Sequence, residues 1–295
     1  MRPESSTTPS SVQDTCAEPF TALKCAPQGE QMNSATIVSW NIWEGMGAQI
    51  VDGVAHVDTA RLEKIRQTLN DIRPDVVVLN EALWCQEENG FFIDYKRLLG
   101  FEHSVQDLYD KHWGNMIVSH RPLDNPFRFR IHNRGGLRVN IGSPALTVAT
   151  YHPHPSRYPA HKAQDFQRLL EGCVGPTVVC GDFNAVSPED VLDEVALTQA
   201  FASFSRKPAS DVARFTEGGR AVFNCLTQLG FSDAVAFSDR HPTIPTDALN
   251  PKKDTAMRID HAWHKDTQFC RARVWDTPLT QWASDHLPLV IKVKW

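Results

Sequence analysis

An uninterrupted apolar run, "VVVL" at residues 76–79, directly follows a helical pattern and constrains the fold more than any other stretch of the chain. The helical pattern covers residues 58–72, where apolar side chains recur at the spacing of one helix face. The sequence "RPD" at 73–75 ends this helix, because the residue before a proline disfavours helical backbone. A β-prone run, "TIVSWNI" at 36–42, precedes it. The predicted order is strand, helix, strand.

The same order recurs in the second half of the chain. The sequence predicts strands over 144–152 and 176–184 with a helix between them over 157–173. Shorter β-prone runs lie at 114–123, 127–134, 136–142, 258–264, 271–277 and 286–295. Residues 186–253 are less regular and predict one helix, over 221–230, followed by a long polar loop. Two strand-rich halves predict an α/β (α+β) fold: a four-layer sandwich of two mixed β-sheets packed face to face with helices on the outside.

Composition assigns most of the chain to one domain. Residues 1–34 are rich in Ser, Thr and Pro and lack an apolar core of signal-peptide length, so we expect a disordered tail there and one domain over 35–295. No stretch approaches the roughly 20 apolar residues that a membrane span needs. The seven cysteines lack C-x-x-C spacing and are odd in number. Reduced thiols, and with them a cytoplasmic location, are therefore expected.

Polar side chains stand where the predicted strands begin or end. A carboxylate, an amide or an imidazole occupies each of these positions: Asn41, Glu81, His152, Asp182, Asn184, Asp260, Asp285 and His286. Each has an ordinary explanation by itself; Asp182 with Asn184, for example, is typical of an Asx turn. Ordinary roles such as an Asx turn do not readily explain why such groups recur at so many strand ends. Because strand ends at one edge of a sandwich converge, we expect these groups to form a site.

These residues belong to motifs that follow one another in a fixed order. The motifs are "WNI" with Asn41, "LNEA" with Glu81, "GNMIVSHRPL", "TYH" with His152, "GDFNA", "RIDH" and "SDHLPLV". From about residue 36 to residue 295, the sequence resembles the endonuclease/exonuclease/phosphatase superfamily, whose fold is that of deoxyribonuclease I. The combination of "GDFN", "RID" and "SDHLP" is specific, whereas each motif alone is weak. Asn80 stands where the family commonly has Gln.

The resemblance implies a phosphoester hydrolase, and the chemistry of phosphoesters indicates which groups it needs. A catalyst must neutralise the charge of the phosphate and position a water. Oxygen ligands suit Mg²⁺, with Mn²⁺ as an alternative; Glu81 is expected as the first ligand, with Asn41 and Asp285 beside it. The sequence has no thiolate pattern or histidine cluster that would indicate zinc.

The remaining polar groups are expected to act on the water and the phosphate. By resemblance, Asp260 holds His286, and His152 donates to a non-bridging oxygen in the transition state. Asp182 and Asn184 are expected to orient the water or the phosphate. Either His286 or Asp182 takes the proton of the water, and the sequence leaves this choice open.

Side chains near the motifs are expected to contact the substrate. They are Asn115, His154, Arg157, Trp43 and Trp84. His154 is also the alternative to His152 as the catalytic imidazole; His152 is preferred because it matches the end of the predicted strand. Three more tryptophans, Trp113, Trp263 and Trp282, lie near site motifs. An indole rim would stack on a base or an apolar head group, although core packing is the more common role for any one Trp.

Three functions fit these features. The first is a divalent-metal-dependent phosphodiesterase with nuclease-like activity on nucleic acid or a nucleotide-like diester, although a net charge of -5 gives no overall positive field to hold nucleic acid. The second is a small-molecule phosphatase or a head-group phosphodiesterase of the inositol-phosphate or sphingomyelinase type, because such a site recognises only the phosphate. The third, a catalytically silent binding module, is disfavoured because every matched site position keeps a competent residue type. No protein partner is predicted.

Overall fold

Two strand–helix–strand units form the centres of two six-stranded β-sheets. The computed structural model describes residues 33–52, 54–83, 93–108, 113–131, 134–190, 192–202, 205–249 and 256–295. The predicted tail over 1–34 lies outside these residues except for its last two positions. In the described part of the chain, no helix combines the length and the apolar character that crossing a membrane requires.

The first sheet is built around a parallel pair of strands. In sheet order, its strands are β13 (Phe269–Val274), β14 (Leu289–Lys294), β1 (Ser34–Asn41), β4 (Val76–Leu83), β6 (Trp113–Ser119) and β5 (His103–Leu108). β1 and β4 are parallel because helix α2 (Thr59–Ile72) carries the chain back between them. Every other pair of neighbours in this sheet is antiparallel.

The second sheet repeats this arrangement. Its strands in order are β11 (Ser232–Asp233), β12 (Asp260–Lys265), β10 (Thr177–Asp182), β9 (Leu146–Tyr151), β8 (Arg134–Ile141) and β7 (Leu123–Ile131). β9 and β10 are the parallel pair, and helix α4 (Pro159–Leu170) connects them. The other described elements are a left-handed turn, α1 (Trp43–Gly47), the hairpin β2 (Gln49–Val51) and β3 (Val54–His56), and the helices α3 (Tyr95–Leu99), α5 (Glu194–Phe201) and α6 (Pro208–Gln228).

Apolar clusters on both faces of each sheet produce four layers. The cluster between the sheets includes Ile37, Val78, Val139, Val148, Cys180 and Ile291. On the outer face of the first sheet, α2 and α3 contribute Ile65, Leu69 and Tyr95. On the outer face of the second sheet, α4 and α6 contribute Phe166, Leu169, Val222 and Phe223. The predicted sandwich of two mixed sheets with helices on the outside is confirmed.

The elements differ from the sequence prediction where local signals are weak. Helix α6 begins at Pro208, whereas the sequence predicts helix only over 221–230. Its two central glycines lower the helix propensity, but a Cβ on Gly219 would lie 1.7 Å from the carbonyl oxygen of Val186. Close packing against this carbonyl therefore requires glycine inside the helix. Strand β5, "HSVQDL", is not predicted because an edge strand mixes polar and apolar residues. The short helices α3 and α5 are not predicted either, because their apolar residues show too little helical spacing.

Three fully buried polar side chains link the two sheets where β4 and β10 approach their ends. We call them the polar seam: Asn80, Asn115 and Thr150. Nδ2 of Asn80 donates to Asn115 Oδ1 at 2.7 Å and to Thr150 Oγ1 at 3.1 Å. Oδ1 of Asn80 accepts the backbone N–H of Asp182 at 2.9 Å. Gly181 is required here, because a Cβ would lie 2.9 Å from Asn80 Oδ1. A single amide thus joins strands of both sheets.

Replacing Asn80 by Leu should destabilise the protein strongly. The change leaves the Asp182 N–H and its neighbours in the polar seam without a partner, and each unsatisfied buried group costs about 1–3 kcal/mol. We expect the free energy of unfolding, measured by urea denaturation, to fall by about 2–4 kcal/mol. Asn70→Leu on the exposed face of α2 is the matched control and should change it by less than about 0.5 kcal/mol. An equally small change for Asn80→Leu would show that the seam does not stabilise the fold.

Candidate functional site

The site residues meet at the edge where the parallel strands of both sheets end. Asn41 and Glu81 lie near the carboxyl ends of β1 and β4, and Asp182 ends β10. Sites of α/β proteins commonly form outside the carboxyl ends of parallel strands. Asp260 opens β12, and His286 lies just before β14; both strands run antiparallel to their neighbours, so they begin at this same edge. The topology therefore gathers residues that are far apart in sequence.

Asp182 lies between two imidazoles. Nε2 of His152 is 3.2 Å from Asp182 Oδ2, and Nε2 of His286 is 3.8 Å from the same oxygen. The side-chain amide of Asn41 also donates to this oxygen, at 3.0 Å. The second oxygen, Oδ1, accepts the backbone N–H of Asn184 at 2.8 Å. Burial alone would raise the pKa of Asp182, but His152 and His286 hold it well below its usual range, so the carboxylate is ionised at neutral pH.

His286 is fixed from its other side by Asp260. Nδ1 of His286 lies 2.8 Å from Asp260 Oδ2, and both side chains are buried. Burial disfavours the charged imidazole, but Asp260, Asp285 and Asp182 outweigh it and raise the pKa of His286 well above its usual value. The shift favours the protonated imidazole, which a buried carboxylate holds in one orientation.

Two further carboxylates, Glu81 and Asp285, make one side of the site acidic. Glu81 Oε2 accepts the backbone N–H of Glu44 at 3.0 Å, and Asp285 Oδ1 accepts the Ser284 hydroxyl at 3.2 Å. Burial, together with the negative charges of Glu81 and Asp182, raises the pKa of Asp285 to about 6 despite the neighbouring imidazolium. The repulsion between these carboxylates is one that a nearby cation would relieve.

The donors at this acidic side fit a hard divalent cation. Within the described ranges, no three His, Cys, Asp or Glu side chains are grouped so that they could hold a metal by themselves. Glu81 and Asp285 supply carboxylate oxygens, and Mg²⁺ is commonly bound by one or two carboxylates together with waters and substrate phosphate. Asn41 Oδ1 accepts the Trp43 N–H at 3.0 Å and keeps a second lone pair for a ligand. These three residues could hold Mg²⁺ or Mn²⁺, whereas a structural zinc ion would call for sulfur or imidazole ligands.

A buried lysine supports the turn that follows Asp182. Asn184 has left-handed backbone, with φ at 46°. Its carbonyl oxygen accepts the Lys162 ammonium at 2.6 Å, and its side-chain amide donates to the carbonyl oxygen of Pro153 at 3.0 Å. Lys162 is fully buried, and this burial lowers its pKa to about 8. The turn is thereby fixed both to helix α4 and to the loop that follows His152.

Comparison of the sequence with known families agrees with this arrangement. The sequence model described as "Endonuclease/Exonuclease/phosphatase family" matches residues 38–286. The chain belongs to this family. A search of curated protein sequences finds no significant match.

Solved structures share the family fold at low sequence identity. An AP endonuclease from Archaeoglobus fulgidus is 19% identical, with a TM-score of 0.60 over 87% of this chain and 98% of that one. A 3′–5′ exonuclease from Neisseria meningitidis is 17% identical, with a TM-score of 0.60 over 88% of this chain and 100% of that one. ANGEL2, a 2′,3′-cyclic phosphatase, is 16% identical, with a TM-score of 0.56 over 90% of this chain and 96% of that one. At such identities the likeness concerns the fold.

At the candidate site, the structure separates the two histidines that the sequence leaves as alternatives. His152 is 2% exposed; besides its contact with Asp182, its Nε2 lies 4.0 Å from Glu81 Oε1. His154 is exposed instead, and its Nδ1 lies 2.7 Å from the hydroxyl of Ser156. His152 is thus the imidazole that reaches the carboxylates of the site.

Two other residues predicted to contact the substrate are bonded to partners inside the protein. Arg157 donates through Nε and Nη2 to the two oxygens of Asp165, at 3.0 and 3.1 Å. Asn115 is fully buried in the polar seam and donates to the carbonyl oxygen of Gly135 at 2.8 Å. The structure places both residues where they support the loops and strands behind the site.

Of the tryptophans predicted to form an indole rim, Trp43 and Trp282 keep part of their surface exposed. Trp43 is partly buried, with the Arg61 guanidinium 4.7 Å from its ring centroid, and Trp282 is 55% exposed. Trp263 belongs to the core, where it stacks on Phe223 with ring centroids 5.2 Å apart. Trp84 and the side chain of Trp113 lie outside the described residues.

The sequence does not predict a supporting role at the candidate site for three residues: Asn80, Arg61 and Lys162. Arg61 precedes the buried Ile65 by four residues on α2, and Lys162 precedes the buried Phe166 by four residues on α4. Each cation therefore projects from the side of its helix that faces the core. A cation at an apolar position of a helix is rarely buried without a partner, so this spacing is the signal that could reveal both residues.

Replacing Asp260 by Asn should lower the pKa of His286. The Asp260 carboxylate is the strongest influence in favour of the imidazolium, so removing its charge lets burial dominate. NMR titration of the imidazole signals, in protein kept free of divalent cations, measures this fall. Asp266→Asn, an exposed position just beyond β12, is the matched control and should leave the pKa unchanged. An unchanged pKa of His286 in Asp260→Asn would contradict the pairing.

Proposed function

We propose that the chain is a divalent-metal-dependent phosphoester hydrolase, and that its main activity is that of a phosphodiesterase with nuclease-like action. The observation that carries this proposal is the position of Asp182 between His152 and His286, at the edge that also holds Glu81 and Asp285. Hydrolysis needs an acceptor for the water and donors for the phosphate oxygens in one place. A buried carboxylate between two imidazoles supplies both.

Glu81, Asp285 and Asn41 would hold the cation, which we propose to be Mg²⁺ or Mn²⁺. When bound, it would neutralise the phosphate and polarise the scissile ester. The raised pKa of Asp285 supports this assignment, because a buried carboxylate next to Glu81 and Asp182 gains from a nearby positive charge.

The other groups divide between the water and the phosphate. Asp182, ionised and fixed by the Asn184 N–H, would accept a hydrogen bond from the attacking water and so orient it. His286, protonated and held by Asp260, would stabilise the negative charge that develops on the phosphate. His152 would donate to a non-bridging oxygen. The opposite pKa shifts of Asp182 and His286 support these roles, because Asp182 stays ionised and can accept a hydrogen bond, whereas His286 retains a proton that it can donate.

Local charge supports a long polyanionic substrate, even though the net charge is -5. A groove of about 610 Å³ runs along β13 and β14, and Arg271, Arg273 and Lys292 line it. All three side chains are exposed; Arg271 pairs with Asp239 at 2.7 Å. Cations in a row favour a phosphate backbone over a single phosphate group.

This groove begins close to the site. Val290, one of its lining residues, follows His286 by four positions, which corresponds to about 13 Å of extended chain. A nucleic-acid strand that leaves the site along β14 would therefore meet the cations within a few nucleotides. This geometry is the specific reason to prefer a nuclease-like activity.

The alternative is a small-molecule phosphatase or a head-group phosphodiesterase of the inositol-phosphate or sphingomyelinase type. Its support is that a site built to recognise the phosphate leaves the choice of substrate to the surrounding loops. A catalytically silent binding module is the third reading of the fold. The ionised, buried Asp182 speaks against it, because a binding scaffold gains nothing from the cost of burying that charge.

We also propose a cytoplasmic location. Cys173, Cys180, Cys225 and Cys270 are unpaired thiols, and a reducing compartment keeps cysteines in that state.

Removing the charged groups of the site should abolish hydrolysis. With bis-p-nitrophenyl phosphate and Mg²⁺ or Mn²⁺, we expect Glu81→Gln and His286→Ala each to lower kcat/KM by about 100-fold or more, because each removes a group that acts on the phosphate. Glu63→Gln and His56→Ala, the same substitutions at exposed positions, should keep wild-type rates. Near-wild-type turnover in either site variant would overturn the assignment.

The wild-type protein should also be tested on duplex DNA, single strands, RNA, nucleotides, sugar phosphates and lipid head groups. Preference for single strands or duplex DNA supports the nuclease-like activity, and preference for a small phosphate supports the alternative. Failure to hydrolyse any of them would favour the silent module.

Removing the positive charge of the groove should lower the hydrolysis of long substrates and leave that of short substrates unchanged. In the combined variant Arg271→Gln, Arg273→Gln, Lys292→Gln, we expect the salt dependence of log kcat/KM for an oligonucleotide to become shallower by about 0.7 for each lost phosphate contact. Turnover of bis-p-nitrophenyl phosphate should not change, because this diester is too short to reach the groove. Arg66→Gln, exposed on α2, is the matched control. An unchanged salt dependence would exclude the groove as a substrate path.

A further inference from the structure

A left-handed turn follows β1 beside the site. Trp43, Glu44 and Met46 have φ values of 39°, 51° and 67°, and Gly47 has a φ of 65°. Left-handed backbone is unfavourable for residues with a Cβ, because the Cβ approaches the next carbonyl oxygen. Such segments persist when surrounding contacts fix them, and they concentrate at functional sites. The contacts that hold this turn therefore matter for the site.

Arg61 holds the start of the turn. Its Nη2 donates to the carbonyl oxygens of Ile42 and Trp43, at 3.0 and 3.1 Å. Its guanidinium also lies over the Trp43 ring, 4.7 Å from the centroid. The next part of the turn has a separate support, because the Tyr95 hydroxyl donates to the carbonyl oxygen of Gly45 at 3.1 Å.

The turn in its left-handed form orients Glu81. It directs the backbone N–H of Glu44 at Glu81 Oε2, 3.0 Å away. Glu81 has a positive φ as well, at 58°, so its side chain leaves the strand in an unusual direction. The direction of this carboxylate thus depends on a turn that Arg61 fixes.

Arg61 also reaches the loop that carries Asp285. Its Nε donates to the carbonyl oxygen of Ala283 at 3.0 Å. The same loop is tied to β1 by the Ser284 hydroxyl, which donates to the carbonyl oxygen of Asn41 at 2.7 Å. One planar guanidinium therefore spans the two segments that set the positions of Glu81 and Asp285.

The charges around Arg61 agree with this position. Burial lowers the pKa of Arg61, while Asp285, Asp58, Glu44 and Glu81 act in the opposite direction. Asp58 is occupied as the cap of α2, where it accepts the N–H groups of residues 60 and 61. The guanidinium is thus a fixed positive charge close to both carboxylates that carry excess negative charge.

We propose that Arg61 is a positioning residue for the cation site: it holds the turn after β1 and the loop before β14 at the separation at which Glu81 and Asp285 can share one divalent cation. This inference rests on the proposed function, because it takes these two carboxylates as cation ligands. A lysine could supply the charge but could not donate to three carbonyl oxygens in a plane.

The test is calorimetric titration of Mn²⁺ alone into the full-length protein, with thermal unfolding of each variant measured in parallel. We expect Arg61→Met to weaken Mn²⁺ binding by about 10–100-fold, the usual effect of removing a residue that orients metal ligands. Arg61→Lys should weaken it less, and so should Tyr95→Phe, which removes one support of the turn without touching the loop at 283–285. Arg66→Met, exposed on the same helix, should bind Mn²⁺ like the wild type.

A folded Arg61→Met protein that binds Mn²⁺ as tightly as the wild type would overturn the inference. If Arg61→Met does not fold, Arg61→Lys decides in the same way, since wild-type affinity in that variant would also overturn it. Weaker Mn²⁺ binding at an unchanged melting temperature supports a positioning role over a purely structural one. A wild-type protein that binds no Mn²⁺ would contradict the proposed function itself, which is a different outcome from equal binding by wild type and variants.

Discussion

Asp182 connects the two sheets by hydrogen bonds and contacts both imidazoles of the site. Its N–H is bonded to Asn80, and its carboxylate to Asn41, so a residue of the second sheet is tied twice to the first. The central cluster between the sheets is apolar, and its contacts are not directional and do not fix one sheet along the other. Buried polar groups are costly without partners, so any sliding of the sheets would break several bonds at this edge together. The bonds that set the sheets in register are therefore the bonds that place Asp182 between His152 and His286.

Charge divides the site into two parts. Around Asp182, carboxylates and imidazoles alternate, because Asp182 lies between His152 and His286, and His286 is in turn held by Asp260. The other part holds Glu81 and Asp285, where burial, together with the negative charges of Glu81 and Asp182, raises the pKa of Asp285. A phosphate brings more negative charge to the same place. A cation at the acidic part and donors at the imidazole part would be required together before a phosphoester could approach.

The residues at strand ends could be predicted from the sequence because their position depends on strand boundaries, which short apolar runs reveal well. Asn41, Glu81, His152, Asp182, Asp260 and His286 all lie at the edge that the pattern indicates. The partners of these residues could not be predicted in this way. Asn80 looks like one more polar residue after a strand, yet its three bonds connect strands that are up to 102 positions apart in sequence. Helix α6 shows the same limit, since its glycines are explained only by the Val186 carbonyl that packs against them.

The two crossover helices contribute to the site in equivalent ways. Arg61 is the third residue of α2 and Lys162 the fourth residue of α4, and each donates to backbone carbonyls of a left-handed segment beside a site strand. A cation in the first turn of a helix is repelled by the positive end of the helix dipole, at a cost of about 0.3–1 kcal/mol, so neither residue is placed there to stabilise its own helix. Each left-handed residue with a Cβ adds about 1–2 kcal/mol of strain. The hydrogen bonds that the Arg61 guanidinium and the Lys162 ammonium donate to carbonyl oxygens of these segments offset this strain. The helices that connect the two parallel strand pairs therefore also supply Arg61 and Lys162, whose side chains stabilise the left-handed segments beside the site.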